Sequence, residues 1–286
     1  MGWLMLVVRI AGVLVLALGL LLAFGAWRWR DATSALMQRL DAAATPQPGQ
    51  RYSERQLDGL PAPVQRYFRA VLQEGAPVVA SATLAQQGSL NMGEAGDRWL
   101  AFTSRQRVVT RRPGFVWDAR VMLAPGLAIR VQDAYVAGEG QLCAALLGLF
   151  TLAKLRGKDE MARGELMRYL AEAAWYPTAL LPGQGVSWQA IDDTSARATL
   201  SDGEAAASLV FRFGADSLIE TVYADARGRT VAGQIVPTPW EGRWADYRLQ
   251  AGMLVPTRGE VSWLLPQGRK PYWRGVLTSV SYGLAA

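Results

Sequence analysis

Four carboxylates and six indoles are the residues of this chain whose types could do chemistry together: Asp133, Glu172, Asp246 and Glu260, with Trp117, Trp175, Trp240, Trp244, Trp263 and Trp273. Two carboxyl groups facing one aromatic cleft would suit glycoside hydrolysis, at a separation of about 5 to 9.5 Å. The same indoles without such a pair would line an apolar ligand groove. A third reading makes them core and turn-anchoring aromatics of a sheet protein. Composition excludes much else. The 286 residues contain no His and one Cys, which removes His-based nucleophile–base pairs and His metal sites. Cys143, alone in an apolar run, has no disulfide partner in the chain and reads as a small buried hydrophobe. There is no Gly-x-Ser-x-Gly elbow and no lysine in a Ser-x-x-Lys context, and Gly138-Glu-Gly140 lacks the rest of a phosphate loop. No catalytic residue, metal ligand or cofactor is assigned.

The element that must position such residues is Gly164-Glu-Leu-Met-Arg-Tyr-Leu-Ala-Glu-Ala-Ala-Trp-Tyr-Pro177, where charge, aromatics and helical spacing coincide. Leu166, Tyr169, Leu170 and Ala173 recur at helical spacing, and Glu165, Arg168 and Glu172 form the opposite row, continued by Trp175. Pro177 disfavours helical geometry at Tyr176, so the helix is expected to end there. On an exposed face Arg168 and Glu172 would make a weak surface pair. Closed over by strands, they would need further hydrogen-bond partners.

The N-terminal segment has a different role. From Ile10 to Trp27 there is no charged residue, and eighteen helical residues at about 1.5 Å each span roughly 27 Å, close to a bilayer hydrocarbon core. Residues 1–30 therefore read as a transmembrane anchor meeting the membrane through 10–27, with Trp27, Arg28, Trp29 and Arg30 as an interfacial belt. A cleaved signal peptide is the rival, since Ala23-Phe24-Gly25 loosely resembles a small-x-small site. The positive-inside count does not decide orientation, because Arg9 and the amino terminus stand against Arg28, Arg30 and Arg39. The common behaviour of a single N-terminal anchor favours a body outside the cytoplasm, in the bacterial inner membrane facing the periplasm or exterior. The net charge of +6 comes partly from this segment. The other arginines are dispersed among acids without a nucleic-acid motif, so no nucleic-acid partner is expected.

Residues 31–55 read as a polar helical stalk passing into an Ala-Ala-Thr-Pro-Gln-Pro-Gly linker, and 56–286 as a single domain. It opens with an amphipathic helix in which Val64, Tyr67, Phe68 and Val71 make one stripe. Period-two strands follow over Val78–Leu90, Arg98–Thr110, Phe115–Leu123 and Leu127–Gln141. In the third, Phe115, Trp117, Ala119 and Val121 are expected on the buried face and Val116, Asp118, Arg120 and Met122 on the wetter one. Leu142–Leu155 is apolar nearly all round and reads as a buried core helix. After the central helix, strands are expected over Val186–Ile191, Ala196–Ser201, Ala205–Phe213, Ser217–Asp225, Arg229–Val236, Gly242–Gln250, Leu254–Leu265 and Tyr272–Tyr282. Ser201-Asp-Gly, Ala226-Arg-Gly and Pro266-Gln-Gly supply turn chemistry. So many strands cannot lie flat. The fold class expected is α+β, a strongly curved antiparallel sheet or open half-barrel of about 11 strands with central helices on its concave side, preceded by one transmembrane helix.

Several of these stretches are also familiar in combination. Leu60-Pro-Ala-Pro-Val-Gln-Arg-Tyr-Phe68, the Gly164–Pro177 segment, Thr238-Pro-Trp-Glu-Gly-Arg-Trp-Ala-Asp-Tyr247 and Tyr272-Trp-Arg-Gly275 together resemble a bacterial, often membrane-anchored family classed as a domain of unknown function. That resemblance implies an architecture and no mechanism. More distantly, strands wrapped around central helices resemble the periplasmic lipoprotein carriers and their outer-membrane receptor, whose curved sheet holds acyl chains. The likeness implies an apolar ligand, and the helical anchor departs from it by fixing this chain to one membrane.

The leading expectation is thus a membrane-anchored envelope binding module for an apolar ligand, a lipid or acyl chain. A carboxylate-dependent hydrolase of envelope glycans and a structural component of an envelope complex are the alternatives. The ligand-binding candidates are Trp117, Asp133, Tyr135, Arg168, Tyr169, Glu172, Trp175, Trp240, Trp244, Tyr247, Glu260, Trp263 and Trp273.

Overall fold

The structure is a computed structural model and describes residues 2–45, 49–93, 96–231 and 233–284. The uncharged N-terminal run begins one long helix, α1 (Gly2–Ala43). A single 3-10 turn (Glu54–Leu57) and α2 (Ala62–Val71) follow, α2 starting on the Pro61 and Pro63 that suit a first helical turn. Next come β1 (Val79–Asn91), β2 (Trp99–Val109), β3 (Gly114–Ala124), β4 (Leu127–Val136), β5 (Glu139–Leu146) and β6 (Phe150–Gly157). The central helix α3 (Glu160–Glu172) runs into 3-10 turns that continue to Gln184. The chain ends in β7 (Val186–Asp192), β8 (Ser195–Asp202), β9 (Ala205–Phe213), β10 (Ile219–Val231), β11 (Gln234–Gln250), β12 (Met253–Leu265) and β13 (Gly268–Leu284). Part of the expected Pro/Gly linker, residues 46–48, lies outside the described residues.

All 13 strands form one open antiparallel sheet in the order β6-β5-β4-β3-β2-β1-β13-β12-β11-β10-β9-β8-β7. The class is α+β, as expected. The sheet must curl, because α3 touches β5 near one edge and β9 near the other. Nine inter-strand spacings separate those two strands, roughly 43 Å if flat at about 4.8 Å each, against a helix diameter of about 10–12 Å. Side-chain bonds also reach between the two arms. Tyr135 on β4 donates its hydroxyl to Asp202 Oδ2 on β8 at 2.9 Å, and Arg112 Nε meets Asp202 Oδ1 at 2.7 Å.

The core fills the concave side. Phe115, Trp117, Ala119 and Val121 of β3 join Leu166, Tyr169, Leu170 and Ala173 of the central segment, all nearly inaccessible. Val116, on the other face, is buried too, since α1 lies across the convex side and packs Leu36 and Leu40 on Val109, Val116, Ala134 and Val136. Trp29 Nε1 donates to Asp118 Oδ1 at 2.8 Å, and Arg39 pairs with Glu139 at 3.2 Å.

Three sequence expectations are corrected. Leu142–Leu155 is no helix: it forms most of the β5–β6 hairpin, which turns through Leu147 and Gly148 with φ of 55° and 73°. An apolar run without period fits a buried helix or a strand pair equally, and the turn uses Leu where Asn or Gly is usual. Ala226-Arg-Gly228 is no turn either; it lies inside β10, where Ala226 belongs to a bulge between Ala224 and Arg227. Consequently Arg229–Val236 is not one strand. It closes the β10–β11 hairpin around Gly233, φ 81°.

Candidate ligand cavity

Between α3 and the concave face lies a cavity of about 510 Å³, inside the range of about 300–1,000 Å³ usual for small-molecule pockets. Its walls are apolar: Val121 from β3, Ile129 and Val131 from β4, Leu142 and Ala144 from β5, Ala153 from β6 and Val261 from β12. Five indoles, of Trp117, Trp175, Trp240, Trp244 and Trp273, complete them. Met92 and Leu152 also line it while being 52% and 56% exposed, so they mark its mouth. A hollow of about 640 Å³ beside the β9–β10 turn is lined by Asp216, Glu220 and Asp246 as well as Leu218, Trp244 and Tyr247.

The indoles lie close because glycines leave room for them. Gly275 of β13 pairs with Gly88 of β1 on one side and Gly259 of β12 on the other. A Cβ on Gly275 would stand 2.3 Å from Trp273 Cη2, and one on Gly259 2.7 Å from Trp244 Cζ3. The Trp175 and Trp244 rings meet edge to face at 4.8 Å, and Trp175 Nε1 donates to the carbonyl of Pro256 at 3.0 Å.

Charges line the cavity where α3 faces it. Arg168 donates from Nε to Glu172 Oε1 at 2.8 Å and from Nη1 to Asp133 Oδ2 at 2.5 Å. Gln106 Nε2 donates to Glu172 Oε2 at 2.6 Å. The guanidinium stacks over Phe115 and Trp117, 4.9 and 5.0 Å from their centroids. Burial works against its charge, but Glu172 and Asp133 outweigh that and push Arg168 further up. A second cation, Arg227, lies over the Trp240 ring at 5.0 Å, donates to Tyr272 Oη at 3.4 Å and stands 3.8 Å from Glu165 Oε1. The β10 bulge aims it there. Burial, with Asp133 adding, pushes the Glu165 carboxyl up to about 8 against Arg227 and Arg168, so it is largely protonated at neutral pH. Glu165 Oε2, Asp133 Oδ1 and Trp244 Nε1 are buried without a hydrogen-bond partner among the described residues.

Of the sequence candidates, Trp117, Asp133, Arg168, Glu172, Trp175, Trp240, Trp244 and Trp273 come together here. The others do not line it. Tyr135 is spent on Asp202. Tyr169 is buried in the core, its carbonyl accepting from Tyr176 Oη at 2.9 Å. Tyr247 donates to the carbonyl of Ile219 at 2.8 Å. Glu260 pairs with Arg269 and Arg274 at 3.1 and 2.7 Å, and Trp263 stacks on Tyr272 at 5.4 Å. Sequence reasoning missed Arg227, Tyr272 and Glu165 as cavity residues. Glu165 had a signal, its place in one row with Arg168 and Glu172; Arg227 was read as part of a turn. The carboxylates first singled out are tied to arginine: Asp133 and Glu172 to Arg168, Glu260 as above, and Asp246 to Arg258 at 3.0 Å.

Residues 58–282 match the family of unknown function DUF6920. The chain belongs to that family. The region matching DUF6920 contains every cavity residue and leaves out α1. A comparison with curated proteins finds no match. Among solved structures, a LolA superfamily protein from Nitrosomonas europaea is similar over 88% of this chain and 93% of its own, at 8% identity and a TM-score of 0.30. A likeness that low carries no inference about ligand or activity.

Proposed function

We propose that this protein is a membrane-anchored binding module of the bacterial envelope whose curved sheet takes up an apolar ligand, a lipid or acyl chain, in the cavity between α3 and the concave face. The observation that carries this reading is the enclosure of about 510 Å³ by aliphatic and indole side chains with charged groups confined to the α3 side. Apolar walls favour a hydrocarbon over a sugar, and a few buried polar atoms fix its orientation. Protonated Glu165 and the Trp244 indole offer donors, and Asp133 Oδ1 offers an acceptor. An uncharged ester, amide or hydroxyl at one end of the ligand matches them without adding a buried charge.

The apolar segment of α1 supports anchoring, with an 18-residue window of mean hydropathy 2.7 and none of it buried against the body. On this reading the protein sits in the inner membrane and its body faces the periplasm. Hydrolysis of glycans has less support, because the carboxylates it needs are neutralised by arginine. Native mass spectrometry of the full chain released from nanodiscs, followed by lipid extraction, tests the proposal. A bound species of acyl-lipid mass is expected. Protein that flies bare, with tryptophan fluorescence unmoved by added lipid, would remove it.

A further inference from the structure

Along the β1–β6 arm the antiparallel order puts the β1–β2, β3–β4 and β5–β6 turns on one rim and the β2–β3 and β4–β5 turns on the other. Helix α1 climbs the convex side between these rims. Its C-terminal end sits at the second, where Thr45 N donates to Arg111 O and a Cβ on Gly114 would meet Leu40 Cδ1 at 2.7 Å. At the first rim, Arg28 donates from Nη2 to the carbonyls of Gly148 and Leu149 at 2.6 and 2.7 Å. A Cβ on Gly25 would stand 2.6 Å from Leu149 Cγ. The β5–β6 turn is therefore bolted to the last turn of the uncharged Ile10–Trp27 run, and residues 2–24 project beyond that rim, fully clear of the body.

This rim is also where the cavity opens and where apolar side chains are bare. Met92, Leu127, Phe150 and Leu152, from three separate hairpins, are 36–61% exposed. The β2–β3 turn on the other rim carries Arg111 and Arg112. An apolar surface of that kind marks a contact with a partner or a membrane, and the projecting helix decides which.

We infer that the β1–β2 and β5–β6 hairpin tips rest in the interface of the bilayer that holds α1, so that the cavity mouth opens onto the membrane and exchanges lipid with it directly. The occupant of the rim is the lipid surface. Arg28 and Arg30 lie at headgroup depth beside Trp27, and the apolar tips dip into the acyl boundary as amphipathic segments do. This rests on the binding reading for its purpose, but on α1 and the rim for its evidence.

The test uses the full chain in nanodiscs of phosphatidylethanolamine and phosphatidylglycerol, in a Cys143→Ser background, with a fluorophore on Phe150→Cys, Met92→Cys or Gln73→Cys. Phe150 and Met92 are 61% and 52% exposed, so substitution leaves the core intact. Gln73 lies beside Pro77, just before β1, at the far rim. Lipid carrying a nitroxide near the headgroup end of its acyl chain is expected to quench the probes at 150 and 92 and to leave the probe at 73 bright. Brightness at 92, whatever happens at 150, overturns the proposal, as does equal quenching at all three sites. Quenching reads lipid contact and not occupancy: an empty cavity on lipid extraction would sink the binding function while leaving this contact standing.

Discussion

The guanidinium of Arg168 spans from α3 to β4, its Nη1 2.5 Å from Asp133 Oδ2. With Glu172 on the same helix it makes a three-group latch whose members are each less than 15% exposed at the side chain. Removing the cation strands two buried carboxylates. Arg168→Met should therefore destabilise the full chain by about 3–5 kcal/mol, read in thermal or denaturant unfolding. Adding Asp133→Asn and Glu172→Gln to it should recover a substantial part. Arg168→Lys should fall between, because an ammonium cannot reproduce the fork. A near-neutral Arg168→Met would show that the latch is dispensable.

Glu165 gives a pH signature. Its ordinary value is 4.5 and burial raises it to about 8 in the folded protein, so between these values the native state binds more protons than the unfolded chain. Its contribution to stability is full below about pH 4.5 and is lost as pH rises through about 8. Glu165→Gln fixes the neutral form. The melting temperature of the variant relative to the parent should rise from pH 6 to pH 9; parallel profiles would mean that Glu165 stays ionised throughout.

The joint between α1 and the sheet is equally accessible to measurement. Trp29→Phe removes the indole donor from Asp118, whose carboxyl burial already pushes up. A loss of about 1–3 kcal/mol is expected for the acceptor left behind. Gly25→Leu should do more at the other end, since its Cβ alone would come 2.8 Å from Leu147 O. Hydrogen exchange over residues 28–43 and 147–150 should quicken in both variants while α3 stays protected. Unchanged exchange would place no weight on the joint.

Gly275→Ala tests how the cavity wall is built. The added methyl meets Trp273 Cη2 at 2.3 Å, and the ring must swing into the cavity or out of the core. A shift in tryptophan emission and weaker binding of acyl ligand are expected, with the sheet retained by circular dichroism. Gly183→Ala, where the added methyl meets nothing within 4 Å, is the control that should leave both unchanged.

How much of this was legible depended on whether a signal was local. The uncharged run of α1, the alternation in β3 and the two rows of the central helix all follow from chemistry within a dozen residues. But Val116 of the wetter β3 face is buried under α1, and α3 ends at Glu172 with Ala173 and Trp175 in a 3-10 turn rather than running helical to Tyr176. The β5–β6 hairpin was hidden because its turn is held from afar. Leu147 takes a positive φ of 55° while Arg28, more than a hundred residues earlier, binds the carbonyls that follow. Arg227 was hidden for a related reason: its Ala-Arg-Gly setting reads as a turn, whereas pairing with β11 turns the same residues into a bulge that aims the side chain at Trp240. The Trp and carboxylate list was half a site, since alternation assigns a face but not a depth along the strand. Trp263 has the same parity as Val261, which lines the cavity, yet does not reach it, whereas Glu260, one residue before Val261, lies on the opposite face and pairs with Arg269 and Arg274.

The central claim is that the cavity between α3 and the sheet holds hydrocarbon, and photo-crosslinking tests it most directly. Full chain in membranes containing a lipid with a diazirine on its acyl chain would be irradiated, digested and mapped. The account predicts adducts in peptides carrying Leu142–Ala153, Ala171–Trp175 and Val261–Trp273, in addition to those on α1. Adducts confined to residues 2–27 would contradict it.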